Sequence, residues 1–309
     1  METNAFNQLR DPSARTQHKD LSQIAANQVV DGLPVINRTK NRLSPFADVV
    51  KTECYSENSG NHSGYSLEIE DDSAPTGYRT VGSGLSSKYL VLPNRDVYDL
   101  ALEVAEASGL PYAPDRAYWD GAKFGLVISF GDEVSQDLSA AGDGSDRMGL
   151  SLVFRTSYDT SWRFEAALCG RRFFCDNLHL SAEYFGRVGF RHTLGSASED
   201  WREVVRQGLR LVRRAPADLG RFVHAMRRLR QAQASDKRLR EAWALVPEFG
   251  DSLVGRVTRA YADEEPTLFG WLQAVTAQTL NREKQSASDW SHNDRAVSAM
   301  VRYAHERLG

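Results

Sequence analysis

Residues 124–168 constrain the fold more than any other part of the chain. Phe124, Leu126, Ile128 and Phe130 alternate with smaller or polar residues. Met148, Leu150, Leu152 and Phe154 repeat the pattern, which continues to Thr156 and Tyr158. Trp162, Phe164, Ala166 and Leu168 form a third set. A period of two places every second side chain on one face, so each set predicts a strand with one buried face. Three such strands with no helix between them predict an antiparallel meander. Opposed residues must share a face, which fixes the register. A three-residue connection, Asp159-Thr160-Ser161, sets Tyr158 against Trp162, Thr156 against Phe164 and Phe154 against Ala166. A two-residue turn would set Thr156 against Arg163, so the longer loop is preferred, although it offers no glycine for a left-handed position. Phe154, Trp162 and Phe164 are expected in the core, with Arg155, Arg163 and Glu165 facing away.

Other elements follow from local signals. Lys88–Leu92 reads as a short strand stopped by Pro93. Asn94 reads as the N-cap of a helix whose face is Val97, Leu100, Ala101, Val104 and Ala105, ending before Gly109 and Pro111. A strand is expected at Arg171–Phe174, a short helix from Asp176 to Phe185, and a strand from Gly186 to Thr193. From Ser198 the pattern is helical. Trp201, Val204, Val205, Gly208, Leu209 and Val212 mark a helix ended by Pro216, and Leu219, Phe222, Val223, Met226 and Leu229 mark the next. Further helices are expected near 252–262, 267–280 and 288–308. Strands first and helices after them give an α+β fold, an antiparallel meander sheet covered by mostly C-terminal helices. Residues 1–77 are expected to be a polar, partly disordered arm. Residues 78–309 are expected to form one α+β domain, with its sheet in 78–193 and its helical part in 198–309.

The 309 residues include three cysteines, Cys54, Cys169 and Cys175. A low, odd count suits a reducing compartment. Met1–Arg10 has no apolar core behind a basic start, and Phe124–Phe130 is far short of the ~20 apolar residues of a membrane helix. A cytoplasmic protein with no membrane association is the expectation. The net charge of −3 conceals a segregation. Residues 1–170 carry a net −9, residues 171–240 a net +9 and residues 241–309 a net −3. A basic middle third points to an acidic partner.

That third supplies the candidate binding residues. Arg202, Arg206, Arg210 and Arg213 recur at helical spacing, a stripe set opposite the apolar seam. Arg221, Arg227, Arg228 and Arg230 follow. Guanidinium forks match phosphate oxygens and stack on bases. Arg171 and Arg172 precede Asn177, at a place expected to pass from strand to helix, where free backbone N–H groups attract anions. With Arg191 these residues complete a candidate nucleic-acid surface.

Three short stretches carry a family resemblance. Phe154-Arg155-Thr156-Ser157-Tyr158-Asp159-Thr160-Ser161 resembles a strand-and-turn motif of Ser-His-Asp-Gly-Ser type, with Tyr158 and Thr160 in place of the usual His and Gly. Arg171-Arg172-Phe173-Phe174-Cys175-Asp176-Asn177 is similar to an Arg-x-Val-Cys-Thr-Asn motif, and Arg191-His192-Thr193 to an Arg-His-Thr ending. Together they resemble the phage/plasmid-like protein family known as domain of unknown function 932, over roughly residues 80–215. The resemblance implies a home on a phage, plasmid or other mobile element. It implies no reaction.

Other chemistry is weaker. Cys169, Cys175, His179 and His192 are zinc-type ligands without the paired spacing of a structural site, so no metal and no cofactor is expected. Ser157, Asp159 and His192 lack a nucleophile elbow. Three function classes remain. The first is a non-enzymatic nucleic-acid-binding accessory, with single-stranded DNA as the favoured partner; single-strand annealing proteins use a similar order of strands, helix and basic surface. The second is a protein-interaction or anti-defence module that engages a host protein. The third is an enzyme with a site near Asp159, Asn177 and His192. Any of the three leaves room for an oligomer.

Overall fold

A computed structural model describes residues 28–39, 42–139, 144, 146–172, 178–181, 185–190, 192, 201–279 and 287–308. Its centre is the expected three-strand meander, β7 (Lys123–Phe130), β9 (Arg147–Ser157) and β10 (Phe164–Arg172), antiparallel neighbours in that order. A further strand that was not expected, β6 (Tyr112–Trp119), pairs antiparallel with β7. Phe154 lies opposite Ala166, so the three-residue register holds. A single cross-strand row runs through Ala117, Leu126, Phe154 and Ala166. Every member of it is buried.

The connection finds its left-handed residue without glycine. Thr160 takes φ +64°. The Asp159 carboxylate accepts from the Ser161 N–H at 2.9 Å and from its hydroxyl, which fixes the bend. Tyr158 and Trp162 fall outside the ladder. Trp162 is buried as expected, but on the other face of the sheet from Phe154 and Phe164. Its N–H donates to the Ser157 hydroxyl at 2.9 Å, and its ring packs with Val127, Val153, Ala167 and Cys169 on the opposite sheet face. Glu165 faces that side too, but it is buried rather than solvated, because Arg155 and Arg163 reach it at 3.3 and 3.0 Å.

The sheet is larger than the meander. Strand β1 (Gln28–Val30) pairs with β2 (Leu33–Asn37), and β2 joins β6 in parallel, so the sheet is not purely antiparallel. Strand β3 (Val49–Tyr55), β4 (His62–Glu70) and β5 (Tyr78–Leu85) form a second, antiparallel sheet. The stretch expected to be a polar arm therefore contains four described strands. Leu33, Val35, Leu67 and Ile69 anchor them in the main core, which overrides the polar composition around them. Short β8 (Gln136–Asp137) pairs with β9.

Past Arg172 the chain departs from the expected elements. Of the strand expected at Arg171–Phe174, Arg171 and Arg172 end β10, and Phe173 and Phe174 lie outside the described residues. In place of a helix over Asp176–Phe185, β11 (Leu178–Leu180) pairs with Cys169–Arg171. Strand β12 (Arg187–Phe190) pairs with Phe164–Ala167. An open edge on β10 recruits both segments, as tertiary context commonly outweighs local preference. Lys88–Leu92 is likewise no strand, and the Leu90 N–H donates to the His192 carbonyl at 3.2 Å.

Six described helices cover one face. Helix α1 (Asn94–Ala107) buries Val97, Leu100, Ala101, Val104 and Ala105 as expected. Asn94 is its first residue, not its cap; the side-chain amide donates to the Pro45 carbonyl at 2.8 Å. Helix α2 (Trp201–Gln231) runs through Pro216 without ending. The ring is exposed, and the buried stripe Val212, Ala215, Leu219, Phe222, Val223 and Met226 keeps helical phase across it, which offsets the lost backbone bond. Gly208 lets α2 approach Val104 of α1, and Gly170 admits the Phe222 ring to β10. Helices α3 (Asp236–Ala244), α4 (Asp251–Tyr261), α5 (Leu268–Thr279) and α6 (Ala287–Arg307) follow. The α5 residues Leu268–Thr276 are all buried, so it serves as the hub of this part.

Thr160 gives a direct test of the turn. A β-branched residue at positive φ costs about 1–2 kcal/mol that glycine does not. Thr160→Gly should therefore raise the unfolding free energy by roughly 1 kcal/mol in urea titration. A loss of stability would show that the loop takes another conformation.

Candidate nucleic-acid interface

Helix α2 carries nine arginines against two carboxylates, Glu203 and Asp218. Helical phase, at about 100° per residue, and the elements packed along the helix divide these arginines into two groups. Arg206, Arg210, Arg213, Arg214 and Arg221 lie on the side away from the buried stripe, and all are exposed. The side chains of Arg206 and Arg210 are 60 and 69% accessible. Both reach one carboxylate, Glu203, at 2.7 and 3.1 Å. Arg214 and Arg221 share Asp218, with Arg214 at 4.0 Å. Each carboxylate can neutralise one of its two guanidiniums. The outer face therefore keeps a surplus of positive charge from Arg206 to Arg221, a track of about 22 Å at 1.5 Å per residue. Arg202 lies on this helix, but its side chain is outside the described residues.

The second group turns inward. Arg230 donates to Asp146 at 2.7 Å and also pairs with Glu265. Arg172 of β10 grips the same Asp146 through Nε and Nη2 at 2.9 and 2.7 Å. Both guanidiniums flank the Phe269 ring of α5, at 5.2 and 5.6 Å from its centroid. Burial alone would lower the pKa of Arg230, but Glu265 and Asp146 outweigh it and raise it. Arg227 donates to the Asp137 carbonyl and Arg228 to that of Ala304 at 3.3 Å. These arginines hold sheet and helices together, and Arg172, buried in that network, is no longer placed to meet a phosphate.

The remaining predicted residues scatter. Arg171 sits half-buried on the other sheet face, bonded to the Ser129 hydroxyl and 3.6 Å from Asp115. Asn177 and Arg191 lie outside the described residues, as does Cys175; the side chain of His179 is not described either. Cys169 is buried, and burial pushes its thiol up to about 12, which leaves it an inert packing residue. Among the described residues no cluster of His, Cys, Asp and Glu is arranged to hold a metal ion.

His192 and Asp159 meet around Tyr89 rather than around a substrate site. The His192 ring is buried and stacked on Tyr89, with centroids 5.5 Å apart. Its Nε2 is 3.1 Å from the Thr156 hydroxyl. Burial drives its pKa down to about 4, against a smaller opposing effect of the Leu90 backbone. Tyr89 donates to the Ser157 carbonyl at 3.0 Å, and Tyr158 accepts the Asn94 N–H at 3.0 Å. Asp159 sits on the turn. Burial would raise its pKa, but Ser161, Ser157 and Lys123 hold it below the usual carboxylate range. These contacts join the β9–β10 turn to α1. Sequence reasoning missed that role for Tyr89 and Tyr158, since an aromatic hydroxyl that caps a distant backbone leaves no periodic signal.

The family model described as "Domain of unknown function (DUF932)" matches residues 83–302. The chain belongs to that family. The match spans both the meander and the helices that cover it, including the whole arginine face. No curated protein and no solved structure matches the DUF932 chain. No helix among its described residues is long and apolar enough to cross a membrane.

Because His192 has a pKa depressed on folding, the unfolded chain binds more protons between about pH 6.5 and 4. The neutral ring's contribution is complete above pH 6.5 and is lost as the pH falls towards 4, up to about 3 kcal/mol. His192→Gln should flatten the pH dependence of unfolding in that window. In wild-type protein the imidazole resonances should still be those of the neutral ring at pH 5. Titration near 6.5 would contradict the buried, stacked placement.

Proposed function

We propose that this protein is a non-enzymatic nucleic-acid-binding accessory of a mobile element that engages single-stranded DNA along the outer face of α2. The observation that carries the reading is the charge imbalance of that face: it holds five exposed arginines, and four of them share just two carboxylates. A row of guanidiniums on a rigid helix matches a row of phosphates, spaced about 3.4 Å per strand step in a duplex and more widely when the strand is extended. The acidic cleft formed by Asp48, Glu70, Asp71 and Asp72 on the N-terminal side would repel the same backbone, which directs the strand to α2. His192 is accounted for as a packing residue, so the enzyme reading gains no support from its surroundings.

The salt dependence of binding tests this. Each phosphate neutralised in single-stranded DNA contributes about −0.7 to the slope of log affinity against log salt. Arg206→Ala with Arg210→Ala should make that slope shallower by roughly 1–1.5. All sequences should weaken about equally, because phosphate contacts position a strand without reading it. Folding stability should change by less than about 1 kcal/mol, since both side chains are exposed. Absence of binding by wild-type protein at low micromolar concentration in ~50 mM salt would overturn the proposal.

A further inference from the structure

Strand β3 has seven residues and is hydrogen-bonded on one side only, to β4. Among the described residues no backbone bond uses its other edge. The remaining sheet edges are shorter or covered. Strands β1 and β11 have three residues each, and β5 lies against the β9–β10 turn, where the space beside Gly82 is filled by the Tyr158 carbonyl. An open edge of unpaired N–H and C=O groups is a template for another strand. Side chains at this edge fit that use: Val50 and Tyr55 are 53 and 58% exposed, two of the few large hydrophobic residues left in solvent.

We infer that the β3 edge binds the β3 edge of a second copy of this chain, antiparallel and two-fold symmetric about Thr52. The sequence Val49-Val50-Lys51-Thr52-Glu53-Cys54-Tyr55 selects that register. Residues opposed across an antiparallel pair must share a face, so the symmetry axis falls on a residue. An axis at Lys51 sets two ammonium groups face to face, and one at Glu53 sets two carboxylates face to face. Like charges directly opposite destabilise a pair. An axis at Thr52 sets each Lys51 against Glu53 of the second copy, sets Val50 against Cys54, and leaves the hydroxyls of Thr52 at the centre. Lys51 is already held in place, donating to the Ser87 and Tyr89 carbonyls at 3.0 and 2.9 Å. Such an isologous contact closes on itself and yields a dimer with one six-stranded sheet. It leaves the α2 arginines untouched, so it is independent of the reading of nucleic-acid binding.

Charge exchange tests the register. In analytical ultracentrifugation from about 1 to 100 μM, wild-type chain should shift from monomer to dimer. Lys51→Glu alone and Glu53→Lys alone each create like-charge pairs and should weaken dimerisation at least about tenfold. An equimolar mixture of these two variants should form heterodimers, because each mismatch is relieved by the other chain. Thr52→Lys should also be monomeric; it places two ammonium groups on the axis yet sits beside Glu68 of its own chain. It carries the test with Glu53→Lys should Lys51→Glu not fold, with far-ultraviolet circular dichroism as the control. A wild-type chain that stays monomeric throughout, or variants that dimerise as it does, would overturn the inference.

Discussion

The fold depends on the Asp146 carboxylate. It is buried at the start of β9 and receives Arg172 from the sheet and Arg230 from α2. Glu265, just before α5, balances the second guanidinium. Two cations and two anions make a neutral set, which is what allows them to lie in an apolar surrounding against Phe269. Removing one member would leave an uncompensated charge inside the protein, a loss of about 3–5 kcal/mol in comparable pairs. Sheet, long helix and helical hub are thus clamped at one point. Helix α2 is held by the arginines of its C-terminal end, while Arg206, Arg210, Arg213, Arg214 and Arg221 face solvent.

That clamp explains why one helix carries so many arginines. A basic run reads in sequence as a single feature, yet here it serves two purposes. The phase of each residue and the neighbour packed at its level of the helix decide which: Arg228 has the phase of Arg210, but α6 lies against it. Arg227, Arg228 and Arg230 come near the sheet and α6, where carbonyls and carboxylates meet them. Arg206, Arg210 and Arg213 come round on the far side. The segregated charge of the chain is therefore partly structural, and the surplus left over on the outer face is smaller and more local than the net charge of residues 171–240 suggests.

What was legible in the sequence follows the same logic. Strict alternation in 124–168 gave strands, register and buried face, because a slip by one residue would invert every side chain. The α1 stripe and the last three helices were equally plain from their spacing. Trp162 was misplaced because a loop residue obeys local hydrogen bonds, here to Ser157, and not the pleat. Pro216 reads locally as a stop, yet the apolar phase carries the helix through it. Strands β1–β6, β8 and β11 were hidden, since strands that are short or rich in polar residues are defined by the edges they join. At the candidate interface, Arg206, Arg210 and Arg213 were found from spacing alone. The burial of Arg172 was not, since its partner Asp146 is 26 residues away in sequence and no local pattern links them.

The proposed path of nucleic acid along the outer face of α2 is open to a direct test. Photo-crosslinking of the protein to a single strand carrying a photoreactive thymine analogue, with the attached peptides identified by mass spectrometry, reports the path of the strand directly. The predicted crosslinks fall on α2 between Arg206 and Arg221. Crosslinks confined to the sheet of β3, β4 and β5, or to no peptide of α2, would contradict the account.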